Sequence, residues 1–244
     1  MRTNVPGGLV VVAIDADDRR VVEARLGHGE HPEVVLGAAG WAIESPFFAT
    51  MRDDGGLELG YRVSELDGIR PRREGVPRDA GVGDQEVGEP YQRVAAYAVV
   101  TSARGLLLTQ FNTQTHVAGD WGLPGGGLDD GETPVDGVHR EVWEETGQRV
   151  ELGGLLTVQS HHWVGRSPSG TLEDFHAVRI VYAATCPDPR DVVIHDVGGT
   201  TSDARWVPVT ELGDYPLASS WRRLDALLDL AAGEGSAGGT YDAS

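Results

Sequence analysis

The chain contains no lysine. All 20 of its basic residues are arginine, set against 38 aspartates and glutamates, and its formal charge at pH 7 is −18. A surplus of that size repels polyanions before contact, which argues against nonspecific nucleic-acid binding and against adsorption to an anionic membrane. It also excludes lysine chemistry, which leaves arginine forks as the permanently cationic side chains for gripping an anion. Cysteine is almost as scarce. The single Cys186 rules out an internal disulfide framework, and with no cysteine or histidine beside it the thiol reads as buried and inert. Long apolar runs are missing too: no stretch matches a bilayer span, and the start has no basic region followed by an apolar core. A cytoplasmic protein with neither a membrane nor a nucleic-acid partner is expected.

What is present is 244 residues, enough for one large domain or two small ones. Residues 68–90 are rich in glycine, proline and charge without periodicity and read as a linker. Ahead of them, residues 1–67 hold four β-branched or alternating segments, Gly8 to Ile14, Arg20 to Leu26, Val34 to Ile43 and Leu57 to Leu66. Turn clusters separate them, which predicts a small antiparallel β unit. Beyond the linker, residues 91–231 form the main domain. Strands are predicted over Val94 to Val100 and Gly105 to Phe111, then near Val150 to Val158, Phe175 to Ala183 and Ala204 to Val207. Ser219 to Ala231 places Trp221, Leu224, Leu227 and Leu228 at helical spacing and should close the domain as an amphipathic helix. Residues 232–244 read as a disordered tail. Strands mixed with helices indicate the α/β class.

Between the strands lies Gly126 to Gln148, GGLDDGETPVDGVHREVWEETGQ. Thr133 followed by Pro134 reads as an N-cap and a first helical residue, and Gly147 as a C-terminal stop. At 3.6 residues per turn Glu141, Glu144 and Glu145 fall within an arc of about 100°. Val135, Val138 and Val142 form a neighbouring stripe that should bury against a sheet and set the helix's rotation. Like charges three and four residues apart cost a few tenths of a kcal/mol per pair, and only Arg140 intervenes. A cation is therefore expected at this face. Clustered carboxylates on a rigid element suit Mg²⁺ or Mn²⁺, and phosphate chemistry is the usual reason to hold such an ion.

The spacing of Gly126, Glu132, Arg140, Glu141, Val142, Glu144, Glu145 and Gly147 resembles the Nudix box of the MutT/Nudix hydrolases, and the preceding Trp121-Gly-Leu-Pro-Gly-Gly resembles that family's lead-in. Gln148 departs, standing where an aliphatic residue is expected, which touches packing rather than ligation. The resemblance covers roughly residues 91 to 231. It implies an α/β/α sandwich with a mixed sheet, and hydrolysis of the diphosphate linkage of a nucleoside diphosphate derivative by metal-activated water. Residue by residue, it makes Glu144 and Glu145 the principal metal ligands and Glu141 a metal ligand or general base. The Gly125 carbonyl becomes a further ligand, while Arg140 and Glu132 support the site. A further acid from outside the box is also implied, with Glu173, Asp174, Asp196 and Asp203 as candidates. A ligand-sensing module of the same fold, or an isomerase of the isopentenyl-diphosphate type, are the alternatives. All the box acids are present, which disfavours the first, and Cys186 comes too late in the chain for the second.

Arg166 and Arg179 are the candidates for holding substrate phosphates, Arg179 because it interrupts an apolar run that reads as an inner strand. Phe111, Trp121, Trp163 and Phe175 flank the box. Most should pack in the core, while Trp163, placed in a loop-bound segment, is the candidate for a base or sugar contact. It also stands near the position where Nudix subclasses that cleave ADP-ribose or dinucleoside polyphosphates carry a proline or tyrosine, so the expected substrate is a nucleoside triphosphate or a nucleotide sugar. His161 and His162 are adjacent on a strand and point to opposite faces, so at most one can join His176, and a zinc site is disfavoured. His28 and His31, in a glycine-rich loop, are read as solvent-facing. Residues 1–67 are too few to bury a good core alone, which motivates a homodimer.

Overall fold

The computed structural model describes residues 1–237 except Glu74, His116, Pro168 and Val197, with side chains through Gly233. Residues 238–244 of the expected tail lie outside the described residues. The chain divides into two compact units. The first contains Met1–Ala95, Gly127–Pro134 and Thr157–Ile180; the second contains Ala96–Gly126, Val135–Leu156 and the chain from Val181 onward. No helix among the described residues is long and apolar enough to cross a membrane.

Near the N-terminus, after the short β1 (Arg2–Thr3), come β2 (Leu9–Ile14), β3 (Arg20–Leu26), α1 (Pro32–Ala38), β4 (Trp41–Met51) and β5 (Leu57–Glu65). The four strands β2 to β5 make a sheet in the order β3-β2-β5-β4. The two hairpin pairings, β2 with β3 and β4 with β5, are antiparallel as expected, but the central pairing of β2 with β5 is parallel. The cause is α1, which carries the chain between the two hairpins. That helix corrects the strand predicted from Val34: Pro32 in its first turn presets φ and Glu33 complements the helix N-terminus. Every residue of β2 is buried, as befits a central strand. Val10, Val12 and Ile14 on one face pack against Phe47 and Phe48. Gly60 on β5 leaves room for this, since a Cβ there would meet the Phe48 ring at 2.3 Å.

The remaining elements are β6 (Glu89–Ser102), β7 (Gly105–Phe111), β8 (Trp121–Gly122), β9 (Gly125–Gly127), α2 (Pro134–Thr146), β10 (Glu151–Arg166), β11 (Leu172–Thr185), β12 (Thr201–Val207) and α3 (Leu224–Ala237). The larger sheet has the order β10-β11-β6-β7-β12, with β1, β8 and β9 paired alongside β6 or β7. It is mixed: β1 runs parallel to β6, whereas β7 is antiparallel to β6, β8 and β12. Val94 to Val100 and Leu106 to Leu108 are buried without alternation, the signature of central strands covered on both faces. The mixed sheet with its helices is the α/β fold expected.

Several boundaries differ from expectation. β10 continues eight residues past Val158, so Trp163 lies in a strand rather than in a loop-bound segment. The turn signal at Gly165 to Gly170 begins only where β10 ends. Part of the 68–90 segment pairs with that strand: Asp79 N–H donates to the Val164 carbonyl at 2.9 Å and Val164 N–H to the Pro77 carbonyl at 2.9 Å. The closing helix starts at Leu224, after a 3₁₀ turn at Ser219–Trp221, and runs to Ala237, past the expected end at Ala231. Trp221, Leu224 and Leu227 are buried as the spacing predicted.

Candidate metal and active site

The second unit contains the carboxylate helix. Val138 and Val142 of α2 are fully buried and fix its rotation, whereas Val135, in the first turn, is 41% exposed and departs from the predicted stripe. At the other end Gly147 adopts φ +70°, and its N–H donates to the Trp143 carbonyl at 2.9 Å, the left-handed stop expected of a glycine. The last carbonyls of α2 are capped from a distant loop. His195 and Asp196 N–H both donate to the Glu144 carbonyl, at 2.7 and 2.9 Å, and Val193 N–H donates to that of Thr146 at 3.0 Å. Satisfying these helix-end acceptors is what brings Asp196 to the box.

The three glutamates occupy different environments. Glu144 is the most open, with 40% of its side chain exposed; the Glu141 side chain is 15% exposed, and Glu145 is buried at 4%. Arg140 Nη1 bridges the outer two, 2.9 Å from Glu141 Oε1 and 3.1 Å from Glu144 Oε2. Behind them Glu145 accepts from Gly125 N–H at 3.0 Å and from the Thr201 hydroxyl at 2.5 Å. Burial pushes the Glu145 carboxyl up to about 8; the two hydrogen bonds oppose that, and the nearby charges of Glu141 and Asp196 add to it.

Two glycines make this packing feasible. Gly125 has φ +140°, and a Cβ on it would meet the Ala96 carbonyl at 2.3 Å, so no other residue fits there. A Cβ on Gly126 would lie 2.4 Å from Glu141 Oε1, within the volume that carboxylate fills. The donors gathered here are carboxylate oxygens with one arginine among them, and burial makes ionisation of the Glu145 carboxyl unfavourable. A hard divalent ion fits such a set and would favour ionisation of Glu145.

Residues 91–228, more than half of the chain, match the NUDIX domain family model. The chain belongs to the NUDIX domain family. Over 115 residues it is 34% identical to a putative 8-oxo-dGTP diphosphatase 3 of Mycobacterium tuberculosis, covering 45% of this chain and 49% of that protein. Over 114 residues it is 30% identical to the nucleoside triphosphatase NudI of Salmonella schwarzengrund, covering 46% of this chain and 78% of that one. A MutT-like protein of Streptomyces ambofaciens is 46% identical over 69 residues, 28% of this chain and 43% of that protein. The chain thus spans about half the length of the first curated relatives it matches. A MutT protein from Methanosarcina mazei Go1 superposes with a TM-score of 0.45 at 25% identity, covering 61% of this chain and 98% of that one.

Within the Nudix domain Gly125, Arg140, Glu141, Glu144 and Glu145 belong together in the second unit, and Trp163, Arg166 and Arg179 belong to the first. There Trp163 packs on Phe175, ring centroids 4.6 Å apart. Exposed Arg166 reaches the Gly170 carbonyl at 3.2 Å and Glu86 at 3.3 Å, and Arg179 is half-buried on β11. Of the four candidate acids, Glu173 pairs with Arg2, Asp203 with Arg205, and Asp174 with histidines. Asp196 alone of the four acts on Glu145. Sequence reasoning missed Thr201, which carries no signal of its own, and His195, whose ring stacks on Trp143 at 4.7 Å. Gln148, the departure from the box, is buried and fully used: its amide donates to the Thr146 carbonyl at 3.1 Å and accepts from Arg190 N–H at 2.9 Å. A polar side chain there ties the helix end to the chain after β11.

Proposed function

We propose that this Nudix domain is a Mg²⁺- or Mn²⁺-dependent pyrophosphohydrolase that cleaves the diphosphate linkage of a nucleoside diphosphate derivative, a nucleoside triphosphate or a nucleotide sugar. The observation that carries the reading is the carboxylate cluster: Glu141 and Glu144 share the Arg140 guanidinium while Glu145 is buried behind them. The names of the relatives, a diphosphatase and a nucleoside triphosphatase, point the same way. In this reading Glu144, Glu145 and the Gly125 carbonyl hold the metal, with Glu141 as a further ligand or the base that takes the proton of the attacking water. When bound, the metal neutralises phosphoryl oxygens and lowers the pKa of water.

The chain's own residues set the geometry. Arg140 keeps the Glu141 and Glu144 carboxylates oriented through charge-assisted hydrogen bonds. Thr201 and Gly125 fix both oxygens of Glu145, and Asp196 supplies additional negative charge. Trp163, Arg166 and Arg179 are proposed as substrate contacts, the arginines for phosphate oxygens and Trp163 for a base or sugar. Residues 91–231 are proposed as the catalytic domain and 1–67 as an accessory β unit joined by 68–90 and supporting a homodimer. The site is proposed to act on small molecules in the cytoplasm, not on nucleic acid or membranes.

The test is a hydrolysis screen with Mg²⁺ over nucleoside triphosphates, nucleotide sugars, dinucleotides and coenzymes, using Glu145→Gln as the control. Losing a ligand of the catalytic ion should cost roughly a thousandfold or more in rate. Full turnover by the variant on the best substrate would show that the metal is held elsewhere.

A further inference from the structure

Three side chains from distant parts of the chain converge in the first unit, apart from the carboxylate helix. His28 lies in the loop after β3, His162 on β10 and Asp174 on β11, and one ligand atom from each lies within 4.8 Å of the other two. His28 Nε2 is 3.2 Å from Asp174 Oδ1, and His162 Nε2 contacts the same oxygen. The sequence placed His28 in solvent. Instead both of its ring nitrogens are shut off from water: Nδ1 has no partner among the described residues, and Nε2 faces the Asp174 carboxylate. A buried imidazole nitrogen without a full hydrogen bond is costly, and a metal ion bound through one ring nitrogen of His28 would relieve part of that cost.

The surroundings hold the three groups in place. His161 and His162 point to opposite faces of β10 as expected, with His162 buried and His161 exposed. Gly29 has φ +67°, and a Cβ there would strike the His162 ring at 2.3 Å, so the loop lies flat on that ring. His176 forms the wall behind, its ring centroid 5.6 Å from that of His28. It is not available as a ligand. The Ser160 hydroxyl donates to the Glu30 carbonyl, so Ser160 Oγ accepts from His176 Nε2–H at 2.9 Å, and His176 Nδ1 accepts from the Gln92 amide at 2.9 Å.

Two imidazoles and one carboxylate are a borderline-soft donor set, unlike the all-oxygen set of the box, and three protein ligands leave a fourth position for water. The 3.2 Å between His28 Nε2 and Asp174 Oδ1 is close to the spacing of two ligands about a tetrahedral ion with bonds of about 2.0–2.1 Å, whereas His162 Nε2 lies nearer to that oxygen and would draw back on binding. We propose that His28, His162 and Asp174 bind a zinc ion that pins the loop after β3 to strands β10 and β11. The site would join the N-terminal β sheet to the Nudix strands, which suits a segment too short to build a large core of its own.

The experiment uses the full chain carrying Glu141→Gln, Glu144→Gln and Glu145→Gln, so that all three box carboxylates are removed and the outcome does not depend on the proposed hydrolysis. The protein is stripped with a chelator, reloaded with zinc, freed of excess, and its metal content measured by elemental analysis. One zinc per chain should remain, and it should be lost on adding His28→Ala or His162→Ala. Asp174→Asn, nearly isosteric, guards against a folding defect: it should keep the far-UV spectrum yet lose the zinc and the rise in melting temperature that zinc gives its parent. Cobalt in place of zinc should give the strong visible bands of a four-coordinate ion, and these too should vanish in Asp174→Asn. No retained zinc in the box-deficient parent, or equal zinc in all three further variants, would overturn the proposal.

Discussion

Replacing Glu145 with glutamine should stabilise the metal-free protein while abolishing its turnover, and the size of the gain should depend on pH. In the fold the Glu145 carboxyl is raised by burial, and then by the charges of Glu141 and Asp196, from the ordinary 4.5 to about 8. A carboxyl raised in this way is neutral when folded and ionised when unfolded across that interval. Its contribution to stability is therefore whole below 4.5 and is lost as pH rises from 4.5 towards 8, at up to about 1.4 kcal/mol per pH unit. By pH 7 the accumulated cost has an upper bound of about 3 kcal/mol. Glutamine has no such cost. Its carbonyl can accept from Gly125 N–H as Glu145 does at 3.0 Å, and its amide can donate to the Thr201 hydroxyl, which turns from donor to acceptor. Urea unfolding of both proteins in chelator, from pH 4.5 to 8, measures the difference directly. The variant's advantage should grow with pH and shrink when Mg²⁺ is added, because the ion favours the ionised form only of the parent. A pH-independent difference, or a variant less stable than the parent at pH 8, would refute the account of Glu145 as a carboxyl raised by burial.

Gly126→Ala should damage activity without damaging the fold. Its Cβ would sit 2.4 Å from Glu141 Oε1, so the carboxylate must move by about 1 Å, a displacement that costs on the order of a hundredfold in kcat; the melting temperature should stay within a few degrees of the parent. Thr201→Val removes the hydroxyl bonded to Glu145 Oε1. Losing a donor to a buried carboxylate should push the Glu145 carboxyl still higher and weaken Mg²⁺ binding by roughly tenfold, which calorimetric titration at pH 7 would read, and unchanged affinity would refute it.

The box helix was legible because its acids, its valines and its stop obey one helical period and a dense motif, and the structure keeps all of these except the burial of Val135. What the sequence hid came through loops. Asp196 and Thr201 reach Glu145 from more than fifty residues downstream, through a segment with no periodicity, because the loop caps the end of α2. The strand read from Val34 failed because adjacent valines favour strands, although Pro32 and Glu33 were the marks of a helix start. The strand through Trp163 is masked in the sequence by the turn signal that follows at Gly165, and by Gln159, Ser160, His161 and His162, which are polar on both faces. Such a stretch does not alternate as a half-buried strand does, and at His162 the inner face is occupied by other histidines.

The parallel pairing at the middle of the N-terminal sheet has a consequence for the order in which the molecule is assembled. Its two hairpins are local and can form as they leave the ribosome, but Leu9 must meet Leu57 before β2 and β5 join, and that longer loop must be closed first. Arg2 has to wait further, since its partner is Tyr91. The strand at Arg2 is thus placed later than the two hairpins that follow it, once synthesis has reached the beginning of the Nudix domain.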